Sequence, residues 1–240
     1  DGYHELETIF YPVDCFDVLE IIPSSKLTFT SSGIDIPGDR NLCLEAYQLL
    51  QKDFDISAVH IHLHKIIPIG AGLGGGSSDA AFTLKGLNKI FGLNLSNAEL
   101  QKYALQIGAD CPFFIENKPM LATGVGELLE PINLDLSVYH IAIVKPDIHV
   151  STIEAYIGVT PKEPLCCLME LIKSPIQEWQ IKNDFEQSIF AKHPAIEDLK
   201  NELYKQGAVY ASMSGSGSSV FGLFNNRPSL NFTDSSVFLV

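Results

Sequence analysis

Between Ala58 and Lys65 the chain alternates, with Val59, Ile61 and Leu63 at every second position and His60, His62 and His64 between them. That period of two predicts a half-buried β-strand. Upstream, Asn41–Asp53 places Leu42, Ala46, Leu49 and Leu50 on one stripe at helical spacing. Downstream, Ser78–Phe91 reads as a second helix that stops at Gly92. A third begins at Ser96, where Ser-Asn-Ala-Glu99 has the form of a capping box. Ile141–Val144 is a short apolar strand running into Lys145-Pro146. Helices are predicted over Leu165–Lys173, Asp184–Ala191 and Ala195–Lys205, and strands over Ala208–Met213 and Ser219–Phe224 around a Ser/Gly turn. Strands and helices are mixed throughout, so the class is α/β or α+β. The loop-like stretch Asp135–Tyr139 precedes a new round of alternation, and domains are expected at 1–137 and 138–240.

Composition narrows the partners. The 240 residues are 46% hydrophobic and 19% charged, the balance of a folded protein rather than a disordered one. No apolar run approaches the roughly 20 residues that span a bilayer, so no membrane association is expected. The net charge of −13 repels phosphate backbones and argues against nucleic acid as a partner. The five cysteines, Cys15, Cys43, Cys111, Cys166 and Cys167, form no CxxC pair. That pattern fits a reducing cytoplasm better than a disulfide framework or a structural zinc site. The histidine stripe is expected to face solvent, because no Cys or carboxylate cluster completes a metal set.

The chemistry concentrates in Pro68-Ile-Gly-Ala-Gly-Leu-Gly-Gly-Gly-Ser-Ser-Asp-Ala-Ala81, with glycines at 70, 72, 74, 75 and 76. Glycine allows successive N–H groups to converge on an anion, and Ser77 and Ser78 follow at a predicted helix start, where the dipole favours negative charge. Gly70, Gly72 and Gly75 satisfy GxGxxG, but no acidic residue lies about twenty positions on to hold a ribose. No Lys-Ser/Thr follows the glycines either, which removes the Walker form. A flexible turn is the alternative to a phosphate cradle of another type. Asp110 follows Gly108-Ala109 and precedes Cys111-Pro112, a turn from which a carboxylate can project as a general base, although a turn aspartate would look the same.

The glycine segment resembles the ATP loop of the galactokinase, homoserine kinase, mevalonate kinase and phosphomevalonate kinase superfamily. The opening Asp1-Gly-Tyr-His-Glu-Leu6, together with Gly108-Ala-Asp-Cys-Pro-Phe113, resembles one branch of it. That branch phosphorylates a cytidine-diphosphate-linked methylerythritol. Gly124-Val-Gly-Glu127, Asn183-Asp-Phe-Glu186 and Ser212-Met-Ser-Gly-Ser-Gly-Ser218 agree with the same branch, in the same order along the chain.

The resemblance implies an α+β fold of two domains: an α/β-type N-terminal domain carrying the loop and a ferredoxin-like C-terminal domain. It implies transfer of a phosphoryl group from ATP to the 2-hydroxyl of 4-diphosphocytidyl-2-C-methyl-D-erythritol, giving the 2-phosphate and ADP in the non-mevalonate route to isoprenoid precursors. The partners would be ATP and that small molecule, with Mg²⁺ carried on the phosphates and no protein metal ligand, in a bacterial cytoplasm, as a monomer or homodimer.

By residue, the resemblance assigns Asp110 as catalytic base and Lys65, Pro68, Ile69, Gly70, Ala71, Gly72, Leu73, Gly74, Gly75, Gly76, Ser77 and Ser78 to ATP. Tyr3, His4, Thr152 and Tyr156 go to the cytidine substrate, an aromatic face being suited to stack on a base. From the residues alone, a solvated strand end for Lys65 and core packing for Tyr156 stay open. Gly215 and Gly217 form a second tight turn expected beside the site. The resemblance also places a lysine-bearing first strand ahead of Asp-Gly-Tyr-His, and so implies that the sequence is N-terminally truncated.

Overall fold

The computed structural model describes residues 5–38, 40–162, 166–232 and 235–240. The chain divides into two compact units. The first comprises Asp1–Ile69 and Gly74–Ile132; the second comprises Gly70–Leu73 and Asn133–Val240.

The first unit is built on β2 (Val18–Pro23), β4 (Val59–Lys65) and β3 (Thr28–Gly33), with β4 in the middle. β4 runs antiparallel to β2 and parallel to β3. The parallel pair is possible because α1 (Leu42–Asp53) makes the crossover between β3 and β4. Val59, Ile61 and Leu63 are buried against α1, α2 (Gly75–Phe91) and α3 (Asn97–Ile107), in a core that includes Ala46, Leu50, Leu84 and Leu100.

On the opposite side of the sheet the histidines interleave with β3 hydroxyls. Thr30 Oγ1 lies 2.8 Å from His62 Nδ1, and Ser32 Oγ lies 3.1 Å from His62 Nε2 and 2.9 Å from His64 Nδ1. The stripe is thus a polar zipper. A smaller antiparallel sheet sets β5 (Met120–Thr123) between β1 (Thr8–Phe10) and β6 (Leu128–Pro131). Short α4 (Cys111–Glu116) precedes it.

Local rules explain most boundaries. Asn41 caps α1 by accepting from Leu44 N–H, and Ser96 and Glu99 complete the capping box of α3. α2 ends at left-handed Gly92. It starts three residues before the expected Ser78, at Gly75, so two glycines of low helix propensity are helical. Packing overrides propensity there: a Cβ on Gly75 would lie 2.9 Å from Ile67 Cγ2 and 3.0 Å from Lys65 Nζ.

The second unit is a four-stranded antiparallel sheet in the order β10-β7-β9-β8, from β7 (His140–Pro146), β8 (Tyr210–Met213), β9 (Val220–Phe224) and β10 (Ser235–Leu239). Numbered within the unit this is 4-1-3-2, the ferredoxin-like order, although no helix joins β9 to β10 among the described residues. Between β7 and β8 come α5 (Thr152–Ile157), α6 (Leu168–Leu171), α7 (Glu186–Lys192) and α8 (Pro194–Lys205). Ile189, Ile196 and Leu203 of the last two share a core with Ala142, Val144 and Val220. The helix expected over Leu165–Lys173 is confined to Leu168–Leu171, and Leu165 lies outside the described residues.

Candidate active site

In the first unit, β4 delivers Lys65 beneath the start of α2. Its ammonium is ion-paired with Asp17 and, at 2.8 Å, with Asp79 Oδ2, and the residue is 3% exposed. Asp17 Oδ1 also accepts from the N–H groups of Ile66 (2.5 Å) and Ile67 (2.9 Å), which fixes the strand exit that leads into Pro68. Desolvation pushes the Asp79 carboxyl up to about 6 against the pull of Lys65, since two buried carboxylates share one ammonium. Lys65, assigned from the sequence to ATP, therefore lies under the loop among carboxylates. Asp17 and Asp79 were given no role from sequence, although Asp79 falls inside the glycine segment, because their pairing with Lys65 depends on the fold.

Gly74 adopts the left-handed conformation that opens α2, and the first-turn N–H groups that follow have no intrahelical acceptor. The Ser77 side chain lies beside the thiol of Cys111, the first residue of α4, and draws its pKa down against the rise that burial imposes. That contact brings the helix start beside Asp110, the residue preceding Cys111. Pro112 in the first turn of α4 ends any continuation from α3 and sets Asp110 at the N-terminus of α4. Asp110 is exposed as a residue, yet enough protein surrounds its carboxyl that desolvation holds its pKa above the ordinary aspartate value. The Gly124–Glu127 turn lies alongside, with Gly126 Cα close enough that an added Cβ would stand 3.9 Å from Asp110 Oδ1. Leu6 N–H donates to Gly124 O at 2.8 Å. Tyr3 and His4, assigned to the substrate, lie outside the described residues.

In the second unit, the loop tip Gly70–Leu73 rests on the turn Ser214–Ser219. Ser214 Oγ donates to Gly72 O at 2.7 Å, and Ser219 N–H donates to Ala71 O at 3.1 Å. Gly72 has φ +73, and a Cβ there would fall 2.1 Å from Ser214 O, so no other residue fits. Thr152 and Tyr156 stand one helical turn apart on α5 and share a face. The Tyr156 ring meets Phe185 edge-on, with centroids 4.9 Å apart.

The residues 41–118 match the family model for the GHMP kinases N terminal domain, and 169–232 match the GHMP kinases C terminal model. A 4-diphosphocytidyl-2-C-methyl-D-erythritol kinase of Cytophaga hutchinsonii is 53% identical over 233 residues, covering 95% of this chain and 86% of the relative. The chain belongs to that kinase family. The Parabacteroides distasonis member is 52% identical over 99% of this chain and 89% of its own length. Among solved structures, a 4-(cytidine 5'-diphospho)-2C-methyl-D-erythritol kinase aligns at a TM-score of 0.78 with 33% identity, covering 92% of this chain and 82% of that one. A homoserine kinase from Cytophaga hutchinsonii, 17% identical, aligns at 0.74 over 98% of this chain and 94% of its own, a likeness of fold alone.

The α+β, two-domain expectation therefore holds as a property of the family. No helix among the described residues is long and apolar enough to cross a membrane.

Proposed function

We propose that the chain transfers the γ-phosphoryl group of ATP to the 2-hydroxyl of 4-diphosphocytidyl-2-C-methyl-D-erythritol, the compound named in its relatives, giving the 2-phosphate and ADP. Membership of the kinase family supports the reaction class, and the contact of Ser77 with Cys111 supports the placement of the reacting groups. It sets the phosphate-binding helix start and the Asp110 carboxylate side by side within one unit.

Amides of the segment Pro68–Ser78 bind the triphosphate, with the α2 dipole and the Ser77 and Ser78 hydroxyls adding to the field. Lys65 supports this cradle from below, held by Asp17 and Asp79. Asp110 accepts the proton of the attacking hydroxyl as the new O–P bond forms and the bond to the ADP oxygen breaks. A base whose pKa is raised by desolvation suits that task better than an ordinary aspartate. A magnesium ion, if carried by the nucleotide, would offset phosphate charge. Among the described residues no cluster of three or more His, Cys, Asp or Glu side chains could hold it independently. Thr152, Tyr156 and the opening Tyr3-His4 hold the cytidine end, Tyr156 by stacking on the base.

An ADP-release assay with ATP and three acceptors tests the reading. Turnover is expected with the cytidine compound and not with homoserine or mevalonate; turnover confined to either of the latter would overturn the substrate assignment.

A further inference from the structure

One tetrapeptide in the second unit ties together features that the proposed reaction treats separately. Glu186 is buried, yet its carboxylate makes three polar contacts. Oε1 accepts from Met213 N–H at 2.8 Å and from Ser212 Oγ at 3.2 Å, and Oε2 pairs with Lys200 at 2.6 Å. Asn183 donates both amide hydrogens to the same turn, to Met213 O at 2.8 Å and Gly215 O at 2.7 Å. Its own Oδ1 accepts from Phe185 N–H at 3.0 Å, which locks the tetrapeptide's backbone. The braced turn is the one whose Ser214 and Ser219 hold the carbonyls of Gly72 and Ala71. Phe185, between the two polar residues, carries the ring against which Tyr156 packs.

A buried carboxylate is costly to desolvate, and an apolar residue would fill the same space more cheaply. Here one carboxylate oxygen, Oε1, is spent on ordering a glycine-rich turn, while the other is held by Lys200 of α8. The tip of the glycine loop is glycine-rich too: Gly70–Leu73 carries only Ala71 and Leu73 as side chains, and its shape depends on what its carbonyls bond to. The order is therefore handed from α7 to the turn and from the turn to the loop tip.

We propose that Asn183 and Glu186 are positioning residues for ATP, acting through the Ser212–Ser218 turn on the tip of the glycine loop, while Phe185 positions the Tyr156 ring for the base. Neither acts on the reacting atoms. This rests on the reading of the loop as the triphosphate cradle and assigns a division of labour within it.

The experiment is steady-state kinetics with each substrate varied in turn, on Glu186→Ala, Glu186→Gln, Ser214→Ala and Phe185→Leu, with the thermal midpoint of each recorded. Glu186→Ala should raise KM for ATP about tenfold or more while leaving KM for the cytidine substrate within about twofold. Glu186→Gln keeps an acceptor for Met213 and Ser212 and should recover most of that loss. Ser214→Ala removes only the hydroxyl that reaches Gly72 and leaves the buried ion pair intact. It should reproduce the ATP effect with little change in midpoint, which keeps the test decisive should Glu186→Ala fold poorly. Phe185→Leu should raise KM for the cytidine substrate and spare ATP.

A parent enzyme with no turnover on the cytidine substrate would count against the proposed function instead. An active parent whose Ser214→Ala and Glu186→Ala variants lower the midpoint without moving KM for ATP would overturn the positioning role. So would variants that raise both KM values equally.

Discussion

Replacing Lys65 by Met removes the only ammonium bonded to Asp17 and Asp79 among the described residues and leaves two buried carboxylate side chains facing each other. Removing one partner of a buried ion pair costs about 3–5 kcal/mol, because the remaining charge is uncompensated. The protein has one way to reduce that cost, which is to bind a proton. Asp79 takes the proton: its carboxyl stands at about 6 with Lys65 present, and loss of the cation drives it higher.

The sign follows from linkage. A carboxyl whose folded pKa exceeds its unfolded value stabilises the fold at low pH, and the stabilisation is lost as pH rises through the folded pKa. In the parent that loss ends near pH 6; in Lys65→Met it continues upward at about 1.4 kcal/mol per pH unit. The deficit of the variant should therefore be smallest near pH 5 and grow by about 2–3 kcal/mol between pH 6 and 8. Urea unfolding of both proteins across that range measures it, and contributions from other titrating groups cancel in the difference. The double variant Lys65→Met/Asp79→Asn should lose the growth, because the titrating group is gone. A deficit that is the same at pH 5.5 and pH 8, or no deficit at all, would refute the buried charge arrangement.

Three further outcomes are expected. Asp110→Asn should lower kcat by about 10²–10⁴ with KM for ATP little changed, and the acidic limb of the parent's rate profile, displaced upward by desolvation of that carboxyl, should vanish with it; retained turnover in stopped-assay measurements would remove Asp110 from the chemistry. Tyr156→Ala should raise KM for the cytidine substrate far more than KM for ATP, and an equal effect on both would take the ring out of the base site. Ser96→Ala should cost about 1 kcal/mol in urea unfolding through loss of the α3 cap, with no change in either KM.

Much of the fold could be read in the sequence where a local rule acted alone. The alternation of Val59, Ile61 and Leu63, the Ser96–Glu99 box and the stop at Gly92 each state their element directly, and each element is present. The pieces that escaped are those whose form depends on distant partners. β1, β5 and β6 are three or four residues long and exist through pairing with one another. β10, Ser235–Leu239, has no periodicity strong enough to mark it as a strand. α2 begins inside the glycine run because Lys65 and Ile67 lie beneath Gly75, a contact formed only once β4 is in place.

The site divides in the same way. The glycine loop and Asp110 carry motifs, so resemblance located them. Asp17 carries only a charge, and Asp79 and Glu186, although inside resembling segments, were given no role there; their partners lie 48, 14 and 14 residues away, and no spacing rule connects them. Lys65 was visible as a residue next to the loop. Its partners, which give the residue its meaning, were not visible.

The most direct measurement is a crystal structure of the protein with a non-hydrolysable ATP analogue and the cytidine substrate together. The account predicts phosphate oxygens accepting from main-chain N–H groups between Ile69 and Ser78, Lys65 still paired with Asp17 and Asp79, and the Asp110 carboxylate in hydrogen-bond reach of the 2-hydroxyl. A triphosphate bound away from that segment, or an Asp110 side chain that does not approach the hydroxyl, would contradict it.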